Sequence, residues 1–383
     1  MMRAGKLCFV LLLIVSNASG CWNLKEPDQL AFDVASGMDI TKDGQFEFSA
    51  QIAIPAGIGM APEGGGGGKK DFIVIGSAGK NIYDAIQNLQ TKVSRKIFLG
   101  HREVILIGRR MAEQGIGDLL DEFVRNPKSE MRSRMYVVKN ADAKDILSLE
   151  PIFDPITSTG IVNKQETSGL KKYYFRDFLS DALSQKSAIM LPAVSLTRTP
   201  TYLYTGNAIF TKHHGLKLAG FLNTQESFYA NWIVNKQAEL AITSFVYQGN
   251  GNVSLHLESV NRRIIVKMLD QQIQIDVRLT GKGSIVENNS SLNPATPKDL
   301  QIIQDSLNQS AHASIQQLIA KAQKQLKTDF FGFDESVRQK YPHQWKTLKS
   351  KWNETFPDID VSVHVNLQCK NMGQANSSIK AIP

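Results

Sequence analysis

Residues 298–329, KDLQIIQDSLNQSAHASIQQLIAKAQKQLKTD, set Ile303, Leu307, Ala311, Ile315, Leu318, Ala322 and Leu326 at spacings of three and four. That is the period of one helix face, so the stretch reads as the longest helix of the chain, with a single apolar stripe. The surface it would cover stands on either side. Upstream, Val253, Leu255 and Leu257 alternate with polar neighbours, Ile264 to Leu269 follows, and Ile273, Ile275, Val277 and Leu279 alternate again. This is the two-residue period of half-buried strands. Downstream, Pro342 opens a last helix with Trp345, Leu348 and Trp352 on one face, and Pro357 stops it. Ile359, Val361, Val363, Val365 and Leu367 then mark a closing strand, with Cys369 next on the same face. Strands beside one long amphipathic helix predict an antiparallel sheet packed by that helix, an α+β arrangement.

Working back toward the N-terminus, the hairpin pattern of Asn207–Thr211 and Leu216–Phe221 turns around His213-His214-Gly215, and a helix follows over Thr224–Val234. Residues 150–200 carry Pro151, Pro155, Gly160, Gly169 and Pro192, with a helix expected at Tyr174–Leu183. Earlier still, strands and helices alternate. Phe46, Phe48, Ala50, Ile52 and Ile54 form a period-2 strand after a mixed segment, 24–38, that leads to Asp39. Phe72–Ile75 runs into a Gly76-Ser77-Ala78-Gly79 turn and then a helix striped by Ile82, Ile86, Leu89 and Val93. Glu103–Ile107 precedes a helix over Arg110–Arg125, and Met135–Val138 precedes a short one over Ala143–Leu149. Gly64–Gly68, after Pro62, reads as a loop tip. The fold class expected is therefore mixed α/β, or α+β: an N-terminal α/β region, 21–200, open to further division near 150, then a C-terminal unit, 201–375, and a tail, 376–383.

The composition suits a multidomain globular chain. There are 383 residues, 42% hydrophobic and 21% charged, more than one core usually serves. Beyond residue 20 no apolar run approaches the roughly 20 residues that span a bilayer. The formal charge of +8 is spread out, with doublets only at Lys69-Lys70, Arg109-Arg110, Lys171-Lys172 and Arg262-Arg263. A solvated surface accounts for these, and attraction to an anionic membrane is the functional alternative. No zinc-finger spacing or basic heptad helix points to nucleic acid.

The first twenty residues hold the strongest chemical signal. Arg3 and Lys6 precede an apolar run, Leu7–Val15, and then Ala18-Ser19-Gly20-Cys21. A basic start, a short apolar core and small residues are the layout of a secretory signal peptide, here 1–20. A cysteine directly after the cleavage site resembles the bacterial lipobox, in which the Cys21 thiol takes a diacylglyceryl group and the chain is cut between Gly20 and Cys21. Ordinary secretion, with Cys21 a plain thiol, is the alternative. Loss of residues 1–20 would leave 42 basic against 36 acidic residues, a charge of +6. Cys8 would leave with the signal, so Cys369 would stand alone, without a disulfide or Cys-based metal partner. Its place in the closing alternation reads as a buried, inert thiol.

Catalytic patterns are weak. Gly79-Lys80 opens a helix, but Val74 stands where a phosphate loop needs glycine and Asn81 where it needs Ser or Thr. His101, His213, His214, His256, His312, His343 and His364 show no paired spacing of the zinc-enzyme kind. There is no Gly-x-Ser-x-Gly elbow. Asp118, Asp121 and Glu122 suit a helix start by charge alone. Trp345 and Trp352 suit packing better than a sugar site. A binding or assembly protein is favoured over an enzyme.

Several segments together resemble the Ger(x)C family, the C-subunit lipoproteins of spore germinant receptors. Gly20-Cys21-Trp22-Asn23 with Glu26 is similar to the family's opening, with Asn23 in place of Asp, and Gly37-Met38-Asp39 with Gln51-Ile52 is similar to its first strands. The most specific N-terminal piece is Phe98-Leu99-Gly100-His101-Arg102-Glu103-Val104-Ile105-Leu106-Ile107-Gly108, continuing through Ala112, Gly115, Phe123 and Arg125. Gly206-Asn207-Ala208-Ile209-Phe210, Leu218-Ala219-Gly220, Glu226, Asp329-Phe330-Phe331-Gly332-Phe333, Trp345, Trp352 and Phe356-Pro357 extend it to nearly the whole mature chain. The resemblance implies a role in spore germination on the outer face of the spore's inner membrane, beside polytopic A and B subunits. It implies no cofactor, no metal and no catalytic residue, and Cys21 is the one residue it gives a chemical role. The competing reading is an extracytoplasmic solute-binding lipoprotein, which a large pocket between domains would favour.

Overall fold

The computed structural model describes residues 26–54, 71–126, 129–199, 201–212, 215–270 and 272–371. Its strands are β1 (Leu30–Ile40), β2 (Phe46–Ala53), β3 (Phe72–Gly79), β4 (Lys96–Phe98), β5 (Val104–Ile107), β6 (Arg134–Val138), β7 (Ala188–Leu196), β8 (Tyr202–Thr211), β9 (Lys217–Leu222), β10 (Leu240–Val246), β11 (Gly251–Leu269), β12 (Gln272–Asn288) and β13 (Asp360–Asn371). The helices are α1 (Ile82–Gln90), α2 (Arg109–Gln114), α3 (Gly117–Arg125), α4 (Ala143–Leu147), α5 (Thr157–Thr167), α6 (Phe175–Leu183), α7 (Thr224–Ile233), α8 (Pro297–Ala320), α9 (Phe333–Lys340), α10 (Pro342–Leu348) and α11 (Trp352–Thr355).

Two sheets organise the chain. The first runs β3-β2-β1-β5-β6-β7-β8-β9, with β4 beside the start of β1. Its middle strands β1, β5, β6 and β7 are parallel, and antiparallel pairs close both edges. Every residue of Val-Ile-Leu-Ile in β5 is buried, as is every residue of β6. Parallel strands need cover on both faces. Here α1, α2, α3 and α6 supply one layer, through Ile86, Leu89, Met111, Leu119, Phe123 and Phe178. On the other face α4 and α5 pack Ile146, Leu147 and Ile161 against Val104, Leu106 and Tyr136.

The second sheet is β10-β11-β12-β13. Along β10 burial alternates residue by residue, so one face is dry and the other wet. The long helix lies on the dry face, burying Ile303, Leu307, Ala311, Ile315 and Leu318 as its spacing predicts. Thr296 caps its start, accepting from the Asp299 N–H, with Pro297 in the first turn. The core under this sheet continues through Trp232 and Ile233 of α7 to Met190 of β7 and Ile209 of β8, so the two lobes share apolar contact.

The fold class is as expected, and several elements differ from their sequence reading. The segment read as a mixed lead to Asp39 is β1, the strand between β2 and β5. Its buried Asp33, Ser36 and Asp39 hide its apolar period. Gly76–Gly79 is not a turn but continues β3, with Gly79 opposite Phe46 on β2. The helix expected over 110–125 is two, broken at Gly115, whose φ of 120° no helix accommodates. The longest helix leaves α geometry at Ala320, widens to a π-helix over Lys321–Leu326, and stops at Lys327 in a left-handed conformation. The helix begun by Pro342 is three short pieces over Pro342–Thr355, α10, a 3-10 turn and α11. The 202–222 hairpin joins the first sheet, and β13 pairs in parallel with β12. Helices α5 and α9 and strands β4, β7 and β10 had no reading. Cys369 lies on the inner face of β13 but is half-buried, and burial pushes its thiol up to about 11.

Candidate functional site

Gly20, Cys21 and the rest of the signal segment lie outside the described residues, as do the 64–68 glycine run, Lys69-Lys70 and the His213-His214 turn. The described chain enters at Glu26, turns through Pro27–Gln29, and passes straight into β1. Beside that entry, α1, β4 and α3 border a groove of about 1080 Å³, with Leu30, Ile86, Ile97 and Phe98 among its walls and Asp118, Asp121 and Arg125 on its rim. Asp118 stands in the first turn of α3 and Asp121 pairs with Arg125 at 2.8 Å, so these acids serve the helix they sit on.

The remaining sequence-stated candidates take structural places. His101 packs against Phe32, tilted, and Phe98, edge-on, at 5.4 and 5.3 Å between ring centres. His364 is exposed and His256 half-buried, and they stand 3.5 and 3.6 Å from Asp276 and Glu239. Asn81, the residue that spoils the phosphate loop, caps α1 by accepting from the Asp84 N–H. Trp345 and Trp352 meet edge to face, 5.4 Å apart, in the core.

The junction of the two lobes is where charged chemistry converges. Asp329 is buried in front of α9, and its carboxylate accepts the N–H groups of Phe331, Gly332, Phe333 and Asp334, at 2.8 to 3.3 Å, and the Trp352 indole N–H at 3.2 Å. Those backbone donors are the ones a helix start leaves without partners. Burial nevertheless pushes Asp329 up to about 7, and neighbouring Asp334 adds to the rise. Asp334 is raised in the same way by burial. It reaches across to the first lobe, accepting from the backbone N–H of Ser187 and, at 2.6 Å, from the Ser187 hydroxyl.

Next to this link lies a cleft of about 420 Å³ walled by both lobes. From the first lobe come Asp181, Lys186 and Met190, and from the second Val234, Lys236, Arg262, Phe330, Phe331 and Glu335. Asp181 accepts the Tyr173 hydroxyl at 2.7 Å and pairs with Lys186, and the Lys236 ammonium stands 3.7 Å away. Burial alone would raise Asp181, but Lys236, Lys186 and the Tyr173 hydroxyl outweigh it and hold the carboxyl below its usual range. Lys236 lies over the Tyr173 ring, 3.5 Å from its centre, and burial pushes its ammonium down to about 8 despite Asp181. Lys212 donates to the carbonyl of Ser184, a cleft residue, at 2.5 Å and is likewise lowered to about 8 by burial. Glu335 is held low by its two bonds from Arg338. Sequence reasoning placed Arg262 only in a surface doublet and missed Asp181, Lys186 and Lys236, because no local spacing joins Asp181 and Lys186 to a lysine 50 and more residues further on.

Comparison with known proteins covers both lobes. The family model described as spore germination protein N-terminal domain matches residues 23–196, and the one described as spore germination B3/GerAC like, C-terminal, matches residues 205–373. Spore germination protein KC of Bacillus subtilis (strain 168) is 26% identical over 404 residues, spanning 99% of this chain and 98% of that protein. Spore germination protein B3 of the same organism is 21% identical over 386 residues, spanning 97% and 99%. Among solved structures, the crystal structure of the GerBC protein superposes with a TM-score of 0.57 at 17% identity, covering 88% of this chain and 97% of that one.

Proposed function

The chain belongs to the Ger(x)C family of spore germination proteins, and from that premise we propose that it is the lipid-anchored C subunit of a spore germinant receptor. It acts through protein contacts with polytopic A and B subunits at the outer face of the membrane, without a catalytic step of its own. The observation that carries this reading is the end-to-end match, both halves of the chain finding their counterparts in proteins named for germination.

Membrane attachment in this reading falls to Cys21. Among the described residues no helix is long and apolar enough to cross a membrane. One acyl chain binds only marginally, whereas two or more, at about 0.8 kcal/mol per buried methylene, hold the protein stably. A tether also converts encounter with neighbouring membrane subunits into a search at high effective concentration.

Intact mass and membrane partition in a spore-forming host test the anchor. The expected wild-type chain begins at Cys21, carries added acyl mass and stays in the membrane fraction. Cys21→Ala should lose both properties. A wild-type chain that is unmodified and freely released would remove the anchor from the account.

A further inference from the structure

The cleft between the lobes holds a charge imbalance that contacts with other subunits do not require. Asp181 is already shared by Lys186, Lys236 and the Tyr173 hydroxyl, and Glu335 is committed to Arg338. Arg262 lines the same cleft, and its guanidinium makes no hydrogen bond or ion pair among the described residues. Its five N–H donors are fixed in a fork suited to a carboxylate or phosphate. Met190, Val234, Phe330 and Phe331 add an apolar part to the lining. The lining is more polar than apolar, and a concave space of a few hundred cubic ångströms with converging polar groups is a form that small-molecule sites take.

We propose that this cleft binds a small organic anion, a carboxylate or phosphate carrying a compact apolar group, with Arg262 and Lys236 holding the anionic end and the Phe330–Phe331 wall the apolar end. These holding groups all belong to the second lobe, and Lys186 and Met190 of the first lobe wall the same cleft, so the bound molecule would touch both lobes beside the link of Asp334 to Ser187. Occupancy would thereby stiffen the junction, giving a subunit that works by contacts an input of its own.

The test uses the mature, full-length protein in detergent, with thermal unfolding and calorimetric titration at constant ionic strength. The probes are benzoate and phenyl phosphate, against inorganic phosphate and chloride. At least one aromatic anion should raise the unfolding temperature saturably, and the better of the two identifies the head group. Arg262→Gln should weaken that binding about tenfold or more, as loss of a charged hydrogen-bonding partner does. Arg263→Gln, next in sequence and not a cleft residue, should leave it unchanged. Lys236→Met gives a second reading if Arg262→Gln unfolds, and it should weaken binding in the same direction. No saturable shift with either aromatic anion, or equal weakening by Arg263→Gln, would overturn the proposal. So would inorganic phosphate binding as tightly as phenyl phosphate, which would leave the apolar wall without a role.

Discussion

Asp39 shows how a single residue ties the start of the fold together. It is the last residue but one of β1, is buried, and accepts the Ala143 N–H of α4 at 3.1 and 3.0 Å. Burial lifts its carboxyl to about 7, with Asp142 and Glu47 adding to the rise and the Ala143 N–H opposing it. From the ordinary value of 3.8 up to about 7 the folded protein therefore binds this proton more tightly than the unfolded chain. Stability should be greatest at the acid end of that window and fall as pH rises through it. Asp33 and Asp329, also lifted to about 7 by burial, add to the same slope. Urea unfolding followed across this range should show the decline, and Asp39→Asn should make it shallower. An unchanged slope would contradict the burial argument. Gly108 is the counterpart of Asp39: a β-carbon there would come within 1.7 Å of Asp39 Oδ1. Gly108→Ala should cost about 1–3 kcal/mol or more, read as a lower urea midpoint. Gly108 was visible as part of a quoted motif, but the reason for a glycine there was not, because Asp39 is distant in sequence.

At the scale of elements, legibility followed the local period. The long helix α8 and strands β2, β11, β12 and β13 repeat an apolar residue every three to four or every two positions, and each lies on the segment that pattern marks, although β11 is one strand where two short ones were read, β12 runs on to Asn288, and α8 ends at Ala320. Strand β1 carries polar residues on buried positions and loses the signal. The break at Gly115 is forced by contact with the β8–β9 turn, whose Gly215 carbonyl would stand 2.8 Å from a β-carbon at Gly115, a partner no window of sequence contains. Helix α9 is short and polar, and its start depends on Asp329 gathering four backbone N–H groups and an indole. Each buried donor left without an acceptor costs about 1–3 kcal/mol. Asp329→Ala should therefore lose about 3 kcal/mol or more in urea unfolding. A loss below about 1 kcal/mol would mean that the carboxylate does not organise this element.

For the molecule as a whole, the α/β layering of one lobe and the helix-on-sheet layering of the other were legible in the order of elements. Their junction was not. Asp181 meets Lys236, and Ser187 meets Asp334, across the two lobes, and no spacing records those meetings. The family likeness added what chemistry could not, since the role proposed rests on partners and a tether instead of a reactive site. The most direct measurement is purification of the tagged full-length chain from spore membranes in mild detergent, with stoichiometry by mass spectrometry. The account predicts that polytopic A and B receptor subunits co-elute in near-equal amounts with the acylated chain. Recovery of the acylated chain without them, from spores that contain those subunits, would contradict it.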